Sequence, residues 1–162
     1  MNRDKTLKLA NAGMIAALYV VLTYIANLAG LASGAIQVRL SEALTILPVF
    51  TASAIPGLTV GCVLANLLTG CAAWDVVFGS VATLLGAIGT RLLKNKPLLA
   101  WIPPVVSNAA IVPVILLKVY GVPDAWWFLV LTVGAGEVIS CGLLGLLLYR
   151  GMSRVPYVRN MK

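Results

Sequence analysis

The feature that most constrains this chain is a long uncharged stretch: no charged residue occurs between Glu42 and Asp75. Of all 162 residues, 60% are hydrophobic and only 10% are charged, whereas soluble domains average about 25% charged residues. Such a chain has too few polar side chains to cover a globule in water. The composition therefore argues against a soluble enzyme or binding module and predicts an all-α integral membrane protein.

The apolar stretches divide into six predicted transmembrane helices, which together form a single membrane domain of residues 1–162. The uncharged stretch is too long for one span of about 20 residues. Ile55, Pro56 and Gly57 divide it, because proline and glycine interrupt helices. The predicted helices cover residues 7–29, 35–53, 57–71, 75–93, 98–120 and 126–149.

The basic residues set the predicted orientation. The net charge is +7, and lysine and arginine lie mostly at the two ends of the chain and in the loop of residues 91–97. With six helices, these three regions fall on the same side of the membrane. The positive-inside rule makes that side cytoplasmic, so we expect a multi-pass protein with both termini in the cytoplasm.

Four charged side chains fall inside or at the start of predicted helices: Arg39, Glu42, Asp75 and Glu137. A charge within a bilayer is costly unless it is paired or faces water, so each is a candidate functional residue. Arg39 and Glu42 are three residues apart on one helical face and form either a structural pair or a ligand contact. Asp75 opens the fourth helix, where it either caps the helix or binds a ligand.

Glu137 is the strongest of these candidates. It lies 11 residues beyond Trp126, which places it about 16 Å along the helix. Gly134, Ala135 and Gly136 leave space beside it. A carboxylate at that depth with no adjacent cation indicates a functional role.

Amide and aromatic side chains complete the candidate site. Asn66 and Asn108 lie in the middle of helices, where they either bond neighbouring helices or contact a ligand. Trp74, Trp126 and Trp127 lie near the outer interface, where they form either an aromatic belt or a stacking wall for a planar ligand. These side chains and the surplus of carboxylates predict a pocket for a flat, nitrogen-rich ligand that carries positive charge or a guanine-like edge.

The sequence also lacks residues for common catalytic and ATP-binding motifs, and it indicates a partner protein. It contains no histidine and therefore no imidazole base or imidazole metal ligand. It has no G-x-x-x-x-G-K-[ST] motif, so a partner must supply any energy for uphill transport. Ala12 and Ala16 allow another helix to approach the first one closely. We therefore expect no catalytic residue, metal or cofactor in this chain, and a partner protein beside it.

Four segments resemble the queuosine-precursor transporter family, QueT: residues 37–45 (QVRLSEALT), residues 74–83 (WDVVFGSVAT), residues 103–108 and residues 136–137. The resemblance implies a substrate-binding S-component of an energy-coupling-factor (ECF) transporter, with the six-helix bundle of such components, in the bacterial cell membrane. It implies a transmembrane coupling subunit, contacted here through Ala12 and Ala16, and two cytoplasmic ATPases that hydrolyse ATP. It also implies the ligand, queuine or another 7-deazaguanine precursor of queuosine.

For such a ligand, the candidate residues indicate that the protein binds and releases the molecule without changing it chemically. A tryptophan stacks on the base, and Glu137 or Glu42 accepts the N–H pair of its guanine-like edge. Asn66 or Asn108 completes the recognition, and Asp75 holds the amine. The S-component then topples in the membrane when it docks on the coupling subunit, which releases the ligand inward.

Three alternatives remain open at this point. One is an S-component for another small vitamin or nucleobase. Another is a small membrane enzyme in which Asp75, Glu42 and Glu137 bind a metal, although the chain lacks a G-x-S-x-G motif. The third is a structural or assembly protein, which would not need a carboxylate at the depth of Glu137.

Overall fold

The computed structural model describes residues 3–31 and 36–155, and these ranges contain helices and turns but no strand. Two of the helices are 3-10 helices, and a π-helical segment joins the last two α-helices into one continuous rod. The elements in chain order are α1 (Arg3–Leu28), a 3-10 helix (Leu40–Val49), α2 (Ala54–Leu68), α3 (Ala73–Leu92), a short 3-10 helix (Pro97–Leu99), α4 (Ile102–Lys118), α5 (Trp126–Glu137), the π-helical segment (Val138–Leu144) and α6 (Gly145–Ser153).

Within the part of the chain that the structure describes, four helical stretches are long and apolar enough to cross a membrane: Arg3–Leu28, Ala73–Leu92, Pro97–Lys118 and Trp126–Ser153. The helices Leu40–Val49 and Ala54–Leu68 are apolar but shorter. The prediction of an all-α, multi-pass membrane protein is thus confirmed for the described residues. The count of six spans and the cytoplasmic position of the termini stay predictions.

The structure differs most from the prediction at the second helix, which was expected over residues 35–53. Residues 32–35 lie outside the described residues, and Arg39 has extended backbone angles (φ −98°, ψ 102°), so the helix begins only at Leu40. It is a 3-10 helix of 10 residues, which at about 2.0 Å per residue is shorter than a membrane core of about 30 Å. Pro48 lies inside it and has no N–H to donate to an α-helical partner.

This 3-10 helix is nevertheless the centre of the bundle. Eight of its ten residues are buried, and it contacts α1, α2, α3, α6 and the π-helical segment. Ile46, Val49 and the following Phe50 belong to the hydrophobic core. At its other end, Ser41, Glu42 and Thr45 are equally buried, so its polar start lies inside the protein rather than in lipid.

Small residues bring α1 and α2 into close contact. A Cβ added to Gly57 would lie 2.7 Å from the Ala12 carbonyl oxygen, and one added to Gly61 would lie 3.0 Å from the Ala16 carbonyl oxygen. The small-residue motif of α1, which was predicted to contact a partner subunit, therefore packs on α2 within this chain. At Gly13, one residue beyond Ala12, no atom of the described residues lies within 4 Å of an added Cβ.

We expect Gly57→Ala to lower the thermal unfolding midpoint of the purified protein in detergent. Its new methyl group would overlap the Ala12 carbonyl, and overpacking of this kind typically costs about 1–3 kcal/mol. Gly13→Ala is the matched control, because it makes the same change on open surface and removes a poor helix former. Equal midpoints for the two variants would contradict the close contact between α1 and α2.

Candidate functional site

A polar cavity of about 360 Å³ lies at the end of the bundle where α1, α2 and α4 end and α3 begins. The basic loop at the other end of α3 and α4 is therefore remote from it. The lining of the cavity combines charged, amide, hydroxyl and thiol groups with a few apolar side chains: Thr23, Ala26, Asn27, Gln37, Arg39, Ser41, Asn66, Thr69, Cys71, Asp75, Val112, Ile115, Leu116, Tyr120 and Val122.

Asp75 is held in this cavity by a tyrosine. The Tyr120 hydroxyl donates to Asp75 Oδ2 (3.1 Å) and accepts from the Ala72 backbone N–H (3.1 Å). Partial burial raises the pKa of Tyr120, and the neighbouring Asp75 carboxylate adds to this effect. Asp75 does not cap α3, because the N-cap is Ala72, but a carboxylate in the first turn still interacts favourably with the helix dipole.

Asn66 lies beside Asp75. Its Nδ2 donates to the Asp75 backbone carbonyl (3.5 Å) and to Cys62 Sγ (3.6 Å). A Cβ added to Gly79 would lie 3.2 Å from Asp75 Oδ1 and 3.3 Å from Asn66 Nδ2. The missing side chain at Gly79 thus leaves the space in which the two polar side chains meet.

Arg39 enters the cavity from the extended segment of residues 36–39, hereafter the crossing segment. Its backbone N–H donates to Ser140 Oγ (3.2 Å), while its side chain lines the cavity. The guanidinium has no hydrogen-bond or ion-pair partner within residues 3–31 and 36–155. The predicted pair with Glu42 does not form, because the helix begins after Arg39 and the two residues do not share a helical face.

Glu42 and Glu137 lie behind the cavity in a second, buried group that also contains Cys141, hereafter the acidic cluster. The ligand atoms of these three residues all lie within 4.8 Å of one another, close enough to share a cation. Glu42 accepts the Tyr19 hydroxyl through Oε1, and its Oε2 has no hydrogen-bond partner among residues 3–31 and 36–155. Cys141 Sγ lies 3.2 Å from Glu137 Oε2, and Asn108 interacts with both carboxylates.

The crossing segment separates the cavity from the acidic cluster. Gln37, Arg39 and Val112 line both the cavity and a much smaller void that Glu137 also lines. Of the predicted polar residues, Arg39, Asn66 and Asp75 thus share the cavity, whereas Glu42, Asn108 and Glu137 share the cluster behind it. Gln37 and Tyr120 also line the cavity.

The three predicted tryptophans lie elsewhere. Trp74, Trp126 and Trp127 are 61%, 55% and 62% exposed, and none of them lines the polar cavity. Trp74 stacks on Phe78 with a centroid distance of 5.7 Å. This outward position favours the aromatic belt over the stacking wall.

Comparison with known proteins identifies the family. The family model described as QueT transporter matches residues 9–154. The chain belongs to the QueT transporter family. It is therefore a member of a transporter family, not of an enzyme family, and the earlier resemblance is confirmed.

One curated relative in this family is the queuosine precursor transporter QueT of Lactococcus lactis subsp. cremoris (strain MG1363), with 36% identity over 86 residues. The alignment covers 52% of this chain and 50% of the relative, so the chain spans about half the length of this QueT relative. No solved structure matches the chain.

We expect a thiol reagent such as a small maleimide to modify Cys71 in the folded protein and to leave Cys62 and Cys141 unmodified. Cys71 is partly exposed and lines the cavity, whereas the other two thiols are each 1% exposed. Peptide mass spectrometry before and after denaturation measures all three sites in one sample. Modification of Cys62 or Cys141 at the rate of Cys71 in the folded protein would contradict the described packing.

Proposed function

We propose that this chain is the substrate-binding S-component of an ECF-type importer and that it binds queuine or another queuosine precursor in the polar cavity. Family membership and the printed name of the Lactococcus lactis relative support this ligand class. The observation that carries the proposal is the cavity itself. Its volume of about 360 Å³ lies in the range of small-molecule sites, and its lining offers donors and acceptors for a nitrogen-rich base.

The position of the cavity supports uptake from outside. The cavity lies at the opposite end of the bundle from the loop that contains Arg91, Lys94 and Lys96. If the basic end faces the cytoplasm, as the positive-inside rule predicts, then the cavity opens outward. Both termini are then cytoplasmic, and the protein resides in the bacterial cell membrane.

Transport requires partners in this proposal. The chain has no nucleotide-binding motif, so a transmembrane coupling subunit and two cytoplasmic ATPases supply the energy and this chain binds no cofactor itself. Ala16 is buried against α2, but Ala12 lines a groove at the basic end together with Lys8 and Arg91. We therefore place the contact with the coupling subunit at Ala12 and the outward-facing Gly13 rather than at Ala16.

The acidic cluster has an indirect role in this proposal. For Glu137 or Glu42 to accept the N–H pair of the base directly, the crossing segment would have to move aside. In the described conformation neither carboxyl group lines the cavity. We therefore expect Arg39, Asn66, Asp75 and the side chains around them to contact the base directly.

We expect the purified protein to bind at least one 7-deazaguanine and the bound ligand to slow alkylation of Cys71. Calorimetry with queuine, its aminomethyl and cyano precursors, guanine, riboflavin and thiamine measures binding, and mass spectrometry measures protection of the thiol. Denatured protein with ligand is the control for direct reaction between ligand and reagent. Binding of riboflavin or thiamine alone would instead support an S-component for another vitamin.

We expect Gly13→Leu to abolish ATP-dependent uptake in proteoliposomes that contain the coupling subunit and both ATPases, while ligand binding to the isolated chain stays unchanged. A leucine at this open position would hold an approaching helix away. Val21→Leu, a change at another exposed position of α1, is the control. Undiminished uptake by Gly13→Leu would contradict this docking surface, and uptake without the ATPases would contradict the ECF mechanism.

A further inference from the structure

An apolar groove of about 670 Å³ runs along the outer surface of the bundle between α3 and α4. Trp74 and Phe78 line it from α3, and their stacked rings give it a flat aromatic side. Ala110 and Val114 line it from α4, and both are exposed. Because these side chains belong to helices that are long and apolar enough to cross a membrane, the groove faces the lipid.

Lys118, the last residue of α4, lies at one end of this groove. It follows Ala110 and Val114 at intervals of four residues, so the three side chains share one face of the helix. Ala110 and Lys118 are about 12 Å apart along the helix axis, which is comparable with the hydrocarbon depth of one leaflet, about 15 Å. The groove therefore has the length of most of an acyl chain and a cation at its end.

The position of Lys118 departs from the distribution of the other basic residues. Of the 12 lysines and arginines, only Arg39 and Lys118 lie outside the two chain ends and the loop of residues 91–97. Arg39 lines the polar cavity, whereas Lys118 is exposed and forms no ion pair within residues 3–31 and 36–155. Its ammonium group is therefore available to an anion at the membrane surface.

The described lining of the groove offers Lys118 no counter-ion. It contains no acidic side chain. Asp75 follows Trp74 directly in the sequence, but it lines the polar cavity and accepts the Tyr120 hydroxyl there. The groove thus combines an apolar channel with one unpaired positive charge, and its occupant must supply the negative charge.

An anionic phospholipid matches each part of this arrangement. Its phosphate can accept hydrogen bonds from the Lys118 ammonium, and a lysine near the membrane surface attracts anionic lipids. The amphipathic indole of Trp74 suits the level of the lipid headgroup, and an acyl chain fills the apolar channel below it. An apolar transmembrane helix in the same place would leave the charge of Lys118 without a partner.

We propose that the groove between α3 and α4 binds one anionic phospholipid, with the phosphate on Lys118 and an acyl chain along Trp74, Phe78 and Ala110. Ile115 lines both this groove and the polar cavity, so the bound lipid packs against the outer side of a cavity wall. The site does not depend on which substrate the cavity binds.

Fluorescence quenching in lipid vesicles tests the site. Trp101→Phe, Trp126→Phe and Trp127→Phe together leave Trp74 as the single tryptophan. Phospholipids brominated on the acyl chain quench an indole that they contact, so brominated phosphatidylglycerol and brominated phosphatidylcholine are compared in phosphatidylcholine vesicles. We expect phosphatidylglycerol to quench Trp74 at an about fivefold lower membrane fraction, as the attraction of one lysine for anionic lipid would give.

Four variants in this background identify the parts of the site. Lys118→Gln should make the two lipids equivalent, and Lys118→Arg should keep the preference because it keeps the charge. Lys94→Gln makes the same charge change at an exposed position of the basic loop and should also keep the preference. Ala110→Phe fills the groove and should weaken quenching by both lipids.

Native mass spectrometry of the wild-type chain provides a second measurement that needs no tryptophan change. The protein is released from detergent that contains equal amounts of phosphatidylglycerol and phosphatidylcholine. We expect one phosphatidylglycerol molecule to stay bound in preference to phosphatidylcholine, and Lys118→Gln to lose this preference. The thermal unfolding midpoint of each variant shows whether it is folded.

Three outcomes would overturn the proposal. Equal quenching by the two lipids before any change at Lys118, or an unchanged preference in Lys118→Gln, would remove the phosphate contact. Undiminished quenching in Ala110→Phe would mean that Lys118 attracts headgroups at an open surface without the groove. No quenching by either lipid in the folded protein would mean that a second copy of this chain or another protein covers the groove.

Discussion

The backbone of Gln37 passes very close to Gly136, and this contact determines where the cavity and the acidic cluster lie. The Gln37 carbonyl lies so near the Gly136 Cα that any side chain at position 136 would overlap it. Ser140, one turn further along, donates its hydroxyl to the Gly136 carbonyl (2.9 Å) and accepts the Arg39 N–H (3.2 Å). Because the crossing segment is fixed against this rod, it forms a partition between the cavity and the acidic cluster. The π-helical segment begins directly after Glu137, and such wide turns are frequent at functional sites.

The partition explains the distribution of charge. The chain has more carboxylates than cations at membrane depth, yet the cavity lining contains one of each, Arg39 and Asp75. The other two carboxylates, Glu42 and Glu137, are kept behind the partition and partnered mostly by neutral groups. Arg39 interacts electrostatically with Glu42 on one side and with Asp75 on the other. A ligand that enters the cavity therefore meets one basic and one acidic side chain.

The sequence predicts the long helices well, because uninterrupted apolar stretches bounded by Gly, Pro and charged residues are sufficient to place α1, α3 and α4. The prediction of a helix is wrong at residues 36–39. Hydropathy measures how apolar a segment is, but it does not report the backbone hydrogen bonds that distinguish a helix from an extended segment. The sequence also identifies Glu42, Asn108 and Glu137 as interior polar residues, but it does not reveal the partition in front of them. Pairs such as Tyr19 with Glu42 join distant elements, and no local pattern encodes them.

Helix α1 links the two functional surfaces of the proposed transporter. At one end its Gly13 faces outward beside the buried contact with α2, and further along Tyr19 donates to Glu42 in the acidic cluster. Thr23 and Asn27, nearer its other end, line the cavity, and Thr23 donates to Ser41 at the start of the central 3-10 helix (2.9 Å). A subunit that docks against α1 and shifts it as a rigid helix would therefore alter the cavity wall and the acidic cluster together, because both depend on side chains of the same helix.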